Sequence, residues 1–361
     1  MLIKVKCYLY LKQDVRFVIK VKAVFKTPQF WHTDCWISRF LRPISWVYCR
    51  LIDWNESHRQ PQKVSVPVIC VGNLVMGGAG KTPTVIAIIE ILTQMGYKPH
   101  ILSRGYGGYF RDVTRVNAAK HSYLQVGDEP LLLSQYAPTW TGVSRFAAAQ
   151  AAIGAGASVL VMDDGLQSSR LVKDFSFIVV DAMQGFGNHY VFPAGPLREP
   201  IQKGLKRAQA LVLIGDKEKL KKQKQLADFG TQYTARLVCT ATVKPQPILA
   251  FAGIGYPEKF RYTLEKEGFK IIEFIDFADH HPYTIIDMQR LQRLAESYKC
   301  PLITTVKDHF RIPASYRDAV LTLPISLQFD QPDMIKKALG ECLKNYAAAT
   351  SKSSSSSEQY S

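Results

Sequence analysis

The chain has 361 residues, long enough for two domains and a sizeable core. Hydrophobic residues make up 47% and charged residues 21%, a globular balance that excludes wholesale disorder. The formal net charge of +16 is uneven, with 12 Lys and Arg against 4 Asp and Glu in residues 1–63, which points to an anionic partner surface, a membrane leaflet or a nucleic acid.

Residues 1–28 read as a basic, irregular leader. Lys4, Lys6, Lys12, Asp14, Arg16, Lys20 and Lys22 interrupt every apolar run, so no signal peptide is indicated. No uninterrupted stretch of about 18 apolar residues exists that would span a bilayer. Residues 29–63 form the next segment. Within it Trp36, Ile37, Phe40, Leu41, Ile44, Val47, Tyr48, Leu51 and Ile52 recur at three- and four-residue spacing, on one face of a helix. Arg39, Arg42, Arg50 and Trp46 fall on the other side, and Pro43 predicts a kink or two shorter helices. Such a face suits a bilayer interface, and equally a protein core or a docked partner.

From residue 64 to 242 strands and helices alternate. Apolar runs at 66–72, 100–103, 141–144, 158–163, 177–181, 210–214 and 237–241 read as strands, with helices at 83–92, 130–136 and 145–155 between them. Continuous apolar strands alternating with helices imply a parallel sheet covered on both faces. The first strand runs into Val71-Gly72-Asn73-Leu74-Val75-Met76-Gly77-Gly78-Ala79-Gly80-Lys81-Thr82. A glycine-rich turn between strand and helix, ending in Gly-Lys-Thr, wraps nucleotide phosphates. The amides of Gly77, Gly78, Ala79 and Gly80 face the anion, Lys81 reaches the outer phosphates and the Thr82 hydroxyl holds Mg²⁺. Val75 stands where the usual pattern has glycine, and a ligand-free glycine turn is the plainer alternative. The strand at 158–163 ends in Asp163-Asp164-Gly165, acids where Mg²⁺ needs a carboxylate, although Asp-Asp-Gly alone is also a turn. Asp128, just ahead of a helix started by Pro130, reads as a routine N-cap.

A smaller α/β domain is predicted at 243–328, after Lys244-Pro245-Gln246-Pro247. Its strands are predicted at 248–252, 271–274, 302–305 and 319–323, and its helices at 258–267 and 287–297. Asp279-His280-His281 sets a carboxylate beside two imidazoles, which suits a structural hydrogen bond or a metal as well as catalysis. A C-terminal helix at 329–349 and a disordered serine-rich tail at 350–361 complete the chain, and Lys217–Lys224 reads as a solvated helix face. The seven cysteines stand singly, so neither a disulfide framework nor a zinc site is indicated, which fits a reducing cytosol.

The ordered set Gly-Asn-x3-Gly-Gly-x-Gly-Lys-Thr-Pro, Leu102-Ser103-Arg104-Gly105-Tyr106-Gly107, Gly127-Asp128-Glu129-Pro130, Asp163-Asp164-Gly165-Leu166-Gln167, Gly185-Phe186-Gly187-Asn188, Pro193–Pro200, Phe251-Ala252-Gly253-Ile254-Gly255-x-Pro257 and Asp279-His280 resembles the tetraacyldisaccharide 4'-kinase (lipid A 4'-kinase) family. The likeness runs from about Thr27 to about residue 310, and the family's loop also lacks the glycine at Val75. The leader, the serine tail and Lys307-Asp308-His309-Phe310 depart from the pattern.

The resemblance implies an α/β fold: a P-loop NTPase-like parallel-sheet domain, a smaller α/β domain and an N-terminal amphipathic helix. It implies transfer of the ATP γ-phosphate to the 4'-hydroxyl of a tetraacyldisaccharide 1-phosphate, with ATP and Mg²⁺ as cofactors. The site implied is the cytoplasmic face of the bacterial inner membrane, where the protein is peripheral or monotopic and meets an acylated disaccharide phosphate glycolipid. Asp128 matches the family's catalytic base, assisted by His280, which sets the reaction between the predicted domains. Thr82, Asp163, Asp164 and Glu199 are implied for metal, and Ser103, Arg104, Glu129, Arg145, Gln167 and Arg198 for substrate or phosphate. A nucleotide-driven switch or metal-insertion chaperone, with His280 and His281 as ligands, is the alternative. A nucleic-acid partner ranks last for want of a recognition motif, and no obligate protein partner is readable.

Overall fold

The computed structural model describes residues 5–10, 18–23, 28–215, 226, 229–240 and 243–357. The Lys217–Lys224 run lies outside the described residues, as do residues 358–361 of the tail. The chain divides into two compact units, Phe30–Thr242 with Leu323–Ser361 and Met1–Gln29 with Val243–Thr322.

In the larger unit, nine described strands form one sheet: β3 (Val68–Gly72), β4 (Pro99–Ser103), β5 (Thr114–Arg115), β6 (Thr139–Thr141), β7 (Val159–Asp163), β8 (Phe175–Asp181), β9 (Ala210–Ile214), β10 (Gln232–Cys239) and β15 (Ile325–Phe329). Their order is β15-β10-β9-β8-β3-β7-β4-β6-β5, parallel except where β15 meets β10 and β5 meets β6. The alternation of side chains along each strand explains the continuous apolar runs. On β3, Val68 and Cys70 enter one core cluster while Ile69 and Val71 enter the cluster on the other face. Helices α2 (Lys81–Gln94) and α4 (Asp128–Leu133) contribute to the second cluster. Helices α5 (Arg145–Gly154) and α6 (Ile201–Leu205) cover the first, and α3 (Tyr123–Val126) precedes α4. Because β7 and β8 flank β3 on opposite sides, the chain reverses direction at β3. The carboxyl ends of the strands at such a point open a crevice for ligands.

Helix α1 (Trp36–Ser57) runs uninterrupted through Pro43, so the two shorter helices anticipated there do not form. Its described buried positions are Ser38 and Ser45. The Ser45 hydroxyl donates to Val191 O at 2.7 Å, and Ser38 receives the Asn188 amide at 3.0 Å, which ties the helix down on both sides of Pro43. Trp36, Phe40, Ile44, Val47 and Leu51 of the anticipated apolar face are exposed, as are Trp46 and Trp54. Core packing therefore does not account for those exposed residues, whereas Ile37, Leu41, Tyr48 and Ile52 of the same face are half-buried. No helix among the described residues is long and apolar enough to cross a membrane.

The smaller unit carries a four-stranded sheet ordered β12-β11-β13-β14, with β11 at Pro247–Ala252, β12 at Lys270–Asp276, β13 at Leu302–Thr305 and β14 at Val320–Leu323. β11 is parallel to both β12 and β13. Helices α7 (Pro257–Lys266), α8 (Ile285–Tyr298), α9 (Val306–His309) and α10 (Ala314–Arg317) connect them. Two strands of the leader, β1 (Val5–Tyr10) and β2 (Val18–Ala23), pair antiparallel where sequence pattern suggested none.

The boundary anticipated at residue 328 moves. β15 leaves the smaller unit and adds antiparallel to β10, Leu237 opposite Leu327, because its period-two pattern buries Leu327 against the large sheet. Helix α11 (Pro332–Ser357) then runs past residue 349 into the serine-rich stretch expected to be disordered, its start held by Ile335, Leu339 and Leu343 in the second core cluster. Leu339 is fully buried there. Leu339→Ala is expected to lower the unfolding free energy by about 2–5 kcal/mol in denaturant titration. A change below about 0.5 kcal/mol would mean that α11 contributes nothing to this core.

Candidate active site

β3 ends at Gly72, a position that requires glycine because a Cβ there would lie 2.5 Å from that of Leu166. The chain then turns through Asn73 to Gly80, which caps α2 with φ +88, a left-handed conformation that favours glycine. Lys81 and Thr82 open α2, so the amides of its first turn point out of the sheet's carboxyl edge. The structure also accounts for Val75. It forms an isolated antiparallel bridge with Leu197, flanked by Met76 N to Pro196 O and Arg198 N to Leu74 O, both 2.8 Å. Val75 is thus paired, as a single bridge residue, with the 193–200 segment. Extended backbone accepts a β-branched residue where a turn asks for glycine.

Buried Lys81 donates to Asn73 Oδ1 at 3.2 Å and lies 3.8 Å from Asp164 Oδ2. Asp164, at φ +52, receives both guanidinium nitrogens of Arg198, at 2.7 and 3.0 Å. Burial alone would raise the Asp164 pKa, but Lys81 and Arg198 outweigh it and hold it at about 2. Gln167 ties the group together: its amide donates to Asn73 O and to Glu199 Oε1 at 3.0 Å, and its carbonyl accepts from Arg198 at 3.3 Å. Buried Glu199 also pairs with Arg207.

Asp163 ends β7 opposite Val71 of β3. Burial first, then the charges of Glu129 and Asp164, raise its pKa to about 7 against the pull of Lys81 and Arg145. Its Oδ1 is buried with no hydrogen-bond partner among the described residues. Arg145, at the start of α5, reaches the Asp163 carbonyl at 3.5 Å. Burial lowers its pKa, and it feels Arg104 as well as the two aspartates. Gly127, at φ +94, is the N-cap of α4, so Asp128 is not the cap but the first helical residue. Asp128 is buried and accepts the Glu129 amide at 3.0 Å. Ser103 is buried at the end of β4, and Arg104 beyond it is exposed.

The larger unit therefore gathers Lys81, Asp163, Asp164, Gln167, Arg198 and Glu199 in one network, with Arg145 beside it and the charges of Glu129 and Arg104 acting on it. Asn73 was missed as a functional residue. Its place directly after an apolar strand, before the glycines, was the available signal. No group of three or more His, Cys, Asp or Glu among the described residues is arranged to hold a metal by itself.

In the smaller unit His280 sits in a left-handed conformation at φ +56, its Nε2 3.9 Å from Asp279 Oδ1. His281 does not pair with it as a metal ligand. Its Nε2 lies 3.0 Å from Asp287, which closes a capping box with Thr284 at the start of α8.

The sign of the Asp163 shift has a consequence. With a folded pKa of about 7 against an ordinary 3.8, the folded state binds the extra proton between those values, so stability falls as pH rises through that window. Asp163→Asn is expected to be more stable than the parent by about 1–3 kcal/mol at pH 8, with the difference shrinking toward pH 4. A pH-independent difference between pH 4 and 8 would contradict titration of Asp163 in that range.

The family model "Tetraacyldisaccharide-1-P 4'-kinase" (LpxK) matches residues 37–344. A tetraacyldisaccharide 4'-kinase of Paramagnetospirillum magneticum is 43% identical over 318 residues, covering 86% of this chain and 96% of its own length. Another, from Caulobacter vibrioides, is 40% identical over 326 residues, covering 87% of this chain and 97% of its own. The crystal structure of LpxK from Aquifex aeolicus in complex with ATP aligns with a TM-score of 0.67 at 25% identity, over 85% of this chain and 99% of that one. Matching at this length and identity, on a chain whose glycine loop and strand-end acids converge at one sheet edge, places it in the tetraacyldisaccharide-1-phosphate 4'-kinase family.

Proposed function

We propose that the chain transfers the γ-phosphoryl group of ATP to the 4'-hydroxyl of a tetraacyldisaccharide 1-phosphate in lipid A biosynthesis. The observation that carries this reading is buried Lys81, at the N-terminus of α2, within reach of the Asp164–Arg198 pair at the carboxyl edge of β3 and β7. Phosphoryl transfer asks mainly for positioning and for neutralisation of charge on the transferring oxygens. The loop amides and Lys81 supply both. Arg198, bonded twice to Asp164, presents its guanidinium in a fixed orientation beside the same loop.

The orphaned Oδ1 of Asp163 fits a cation better than it fits a dry interior. Thr82 and Asp163, with Asp164 and Glu199 near them, are the residues that would hold Mg²⁺, which when bound neutralises phosphate charge. Asp128 takes the proton of the acceptor hydroxyl, and His280 assists. Buried Asp128 is pre-oriented by the amide of Glu129, and because a loose transition state asks for little early proton transfer, that positioning matters more than basicity. Asp128→Asn is expected to lower kcat by about 10²–10⁴-fold and His280→Ala by less, measured as ATP-dependent phosphorylation of acylated disaccharide 1-phosphate in detergent micelles. Wild-type turnover by Asp128→Asn would remove it from the mechanism. Absence of phosphoryl transfer by the parent protein would remove the function.

The exposed face of α1 serves as the membrane contact. Trp36, Phe40, Trp46 and Trp54 are each more than 60% exposed, and Arg50 stacks over Trp46 at 5.2 Å. Aromatics with arginines match the interface of an anionic leaflet, here the cytoplasmic face of the inner membrane, where a lipid substrate is met. The double substitution Trp36→Ser with Phe40→Ser is expected to weaken binding to anionic phospholipid vesicles by about ten- to a hundredfold. Unchanged co-sedimentation would reassign this face to a protein partner.

A further inference from the structure

Three separated sequence motifs of the smaller unit meet at the carboxyl ends of its strands: Gly253 after β11, Asp279-His280-His281 after β12, and Asp308 after β13. Asp308 is their hub. Its Oδ1 receives the Gly253 amide at 2.9 Å and the Tyr283 hydroxyl at 2.8 Å, and its Oδ2 receives the Thr305 hydroxyl at 2.7 Å. Arg311 lies 2.9 Å from the same Oδ1, and the two side chains are 1% and 0% exposed. The other guanidinium nitrogen of Arg311 donates to Gly253 O at 2.9 Å and to His281 O at 3.3 Å. Gly253 O in turn accepts the amide of His280 at 2.9 Å.

Gly253 leaves little room for a side chain. A Cβ there would lie 3.0 Å from Ala278 O, 3.1 Å from the Tyr283 hydroxyl and 3.2 Å from Asp308 Oδ1. A left-handed conformation at a non-glycine residue is unfavourable and persists where the surroundings impose it. Here both the amide of His280 and the carbonyl of His281 are fixed through Arg311. A completely buried ion pair adds little stability over well-packed apolar side chains, so stability alone does not account for it. What it does uniquely is hold one short loop in one conformation.

We propose that Asp308 and Arg311 are positioning residues for the phosphoryl transfer, acting through Gly253 O and His281 O to hold His280 where it assists the reaction. This rests on the reading of His280 given above. Tyr283, whose hydroxyl is held protonated by burial and by Asp308, belongs to the same device.

The test is a set of double-mutant cycles on the full-length protein, with MgATP and acylated disaccharide 1-phosphate in detergent micelles. Arg311→Lys and Asp308→Asn are each expected to lower kcat about ten- to a hundredfold, leaving KM for ATP within about twofold. In the His280→Ala background the same substitutions are expected to change kcat by less than about threefold, because the residue they position is gone. Equal losses in both backgrounds, with His280→Ala itself slow, would overturn the positioning role and leave His280 in the mechanism. Wild-type turnover by His280→Ala would remove both readings together. If Arg311→Lys or Asp308→Asn does not fold, Tyr283→Phe, which deletes a single hydroxyl, runs the same cycle. A loss of about three- to tenfold that vanishes in the His280→Ala background supports the proposal, and an unchanged kcat overturns it.

Discussion

Asp164 holds together the end of the sheet that carries the glycine loop. Several cations converge on one glycine loop, and unbalanced they would repel one another and spread the strand ends apart. Asp164 sits between Lys81 and Arg198 and stays ionised because their combined attraction exceeds the cost of its burial. Its neighbour Asp163 has the opposite fate, with burial and like charge pushing its pKa to about 7. Two adjacent carboxylates thus acquire different protonation behaviour from their surroundings.

The same loop is braced by the 193–200 segment, and that segment is braced by α1. Ser45 bonds to Val191 O, and Ala194 N bonds back to Ser45. Asn188 joins Ser38 to Phe30 O and Ala194 O. A helix usually buries its apolar face. Here the buried seam contains two serines that satisfy loop backbone, which leaves the aromatic side outward. At the far end of α1, Glu56 pairs with Lys203 and Arg207, and Arg207 pairs with Glu199 of the Gln167 network. The exposed helix and the phosphate loop are therefore joined through hydrogen bonds and ion pairs at both ends of α1.

In the smaller unit a single buried carboxylate organises three loops, and the left-handed His280 follows from that arrangement. Sequence reading weighed Asp279, His280 and His281 as one cluster. The structure separates them: His281 belongs to the start of α8 through Asp287, while His280 is held through Gly253 O. Asp308 drew notice only as part of a departure from the family pattern, and Arg311 none, because a Lys-Asp pair after a strand is ordinary local sequence. The hub exists only once β11, β12 and β13 lie side by side.

Sequence alone determined most of the strands and helices of the core, the parallel sheet, and the places of the glycine loop and the strand-end acids. These depend on local chemistry: side-chain periodicity, glycine freedom and the need for amides and a lysine at an anion. The places where the reading went astray share a cause. Pro43 does not break α1, β15 leaves the smaller unit for β10, and the last helix continues into the serine run. Each depends on partners distant in the chain, and local propensity is readily overridden by tertiary packing. Only the tertiary structure decided that Val75 pairs with Leu197, that the pKa of Asp164 is held at about 2 while that of its neighbour Asp163 is pushed up to about 7, and that Asp308 reaches Gly253. Bridges, pKa values and buried ion pairs are properties of three-dimensional proximity, on which the order of residues along the chain is silent.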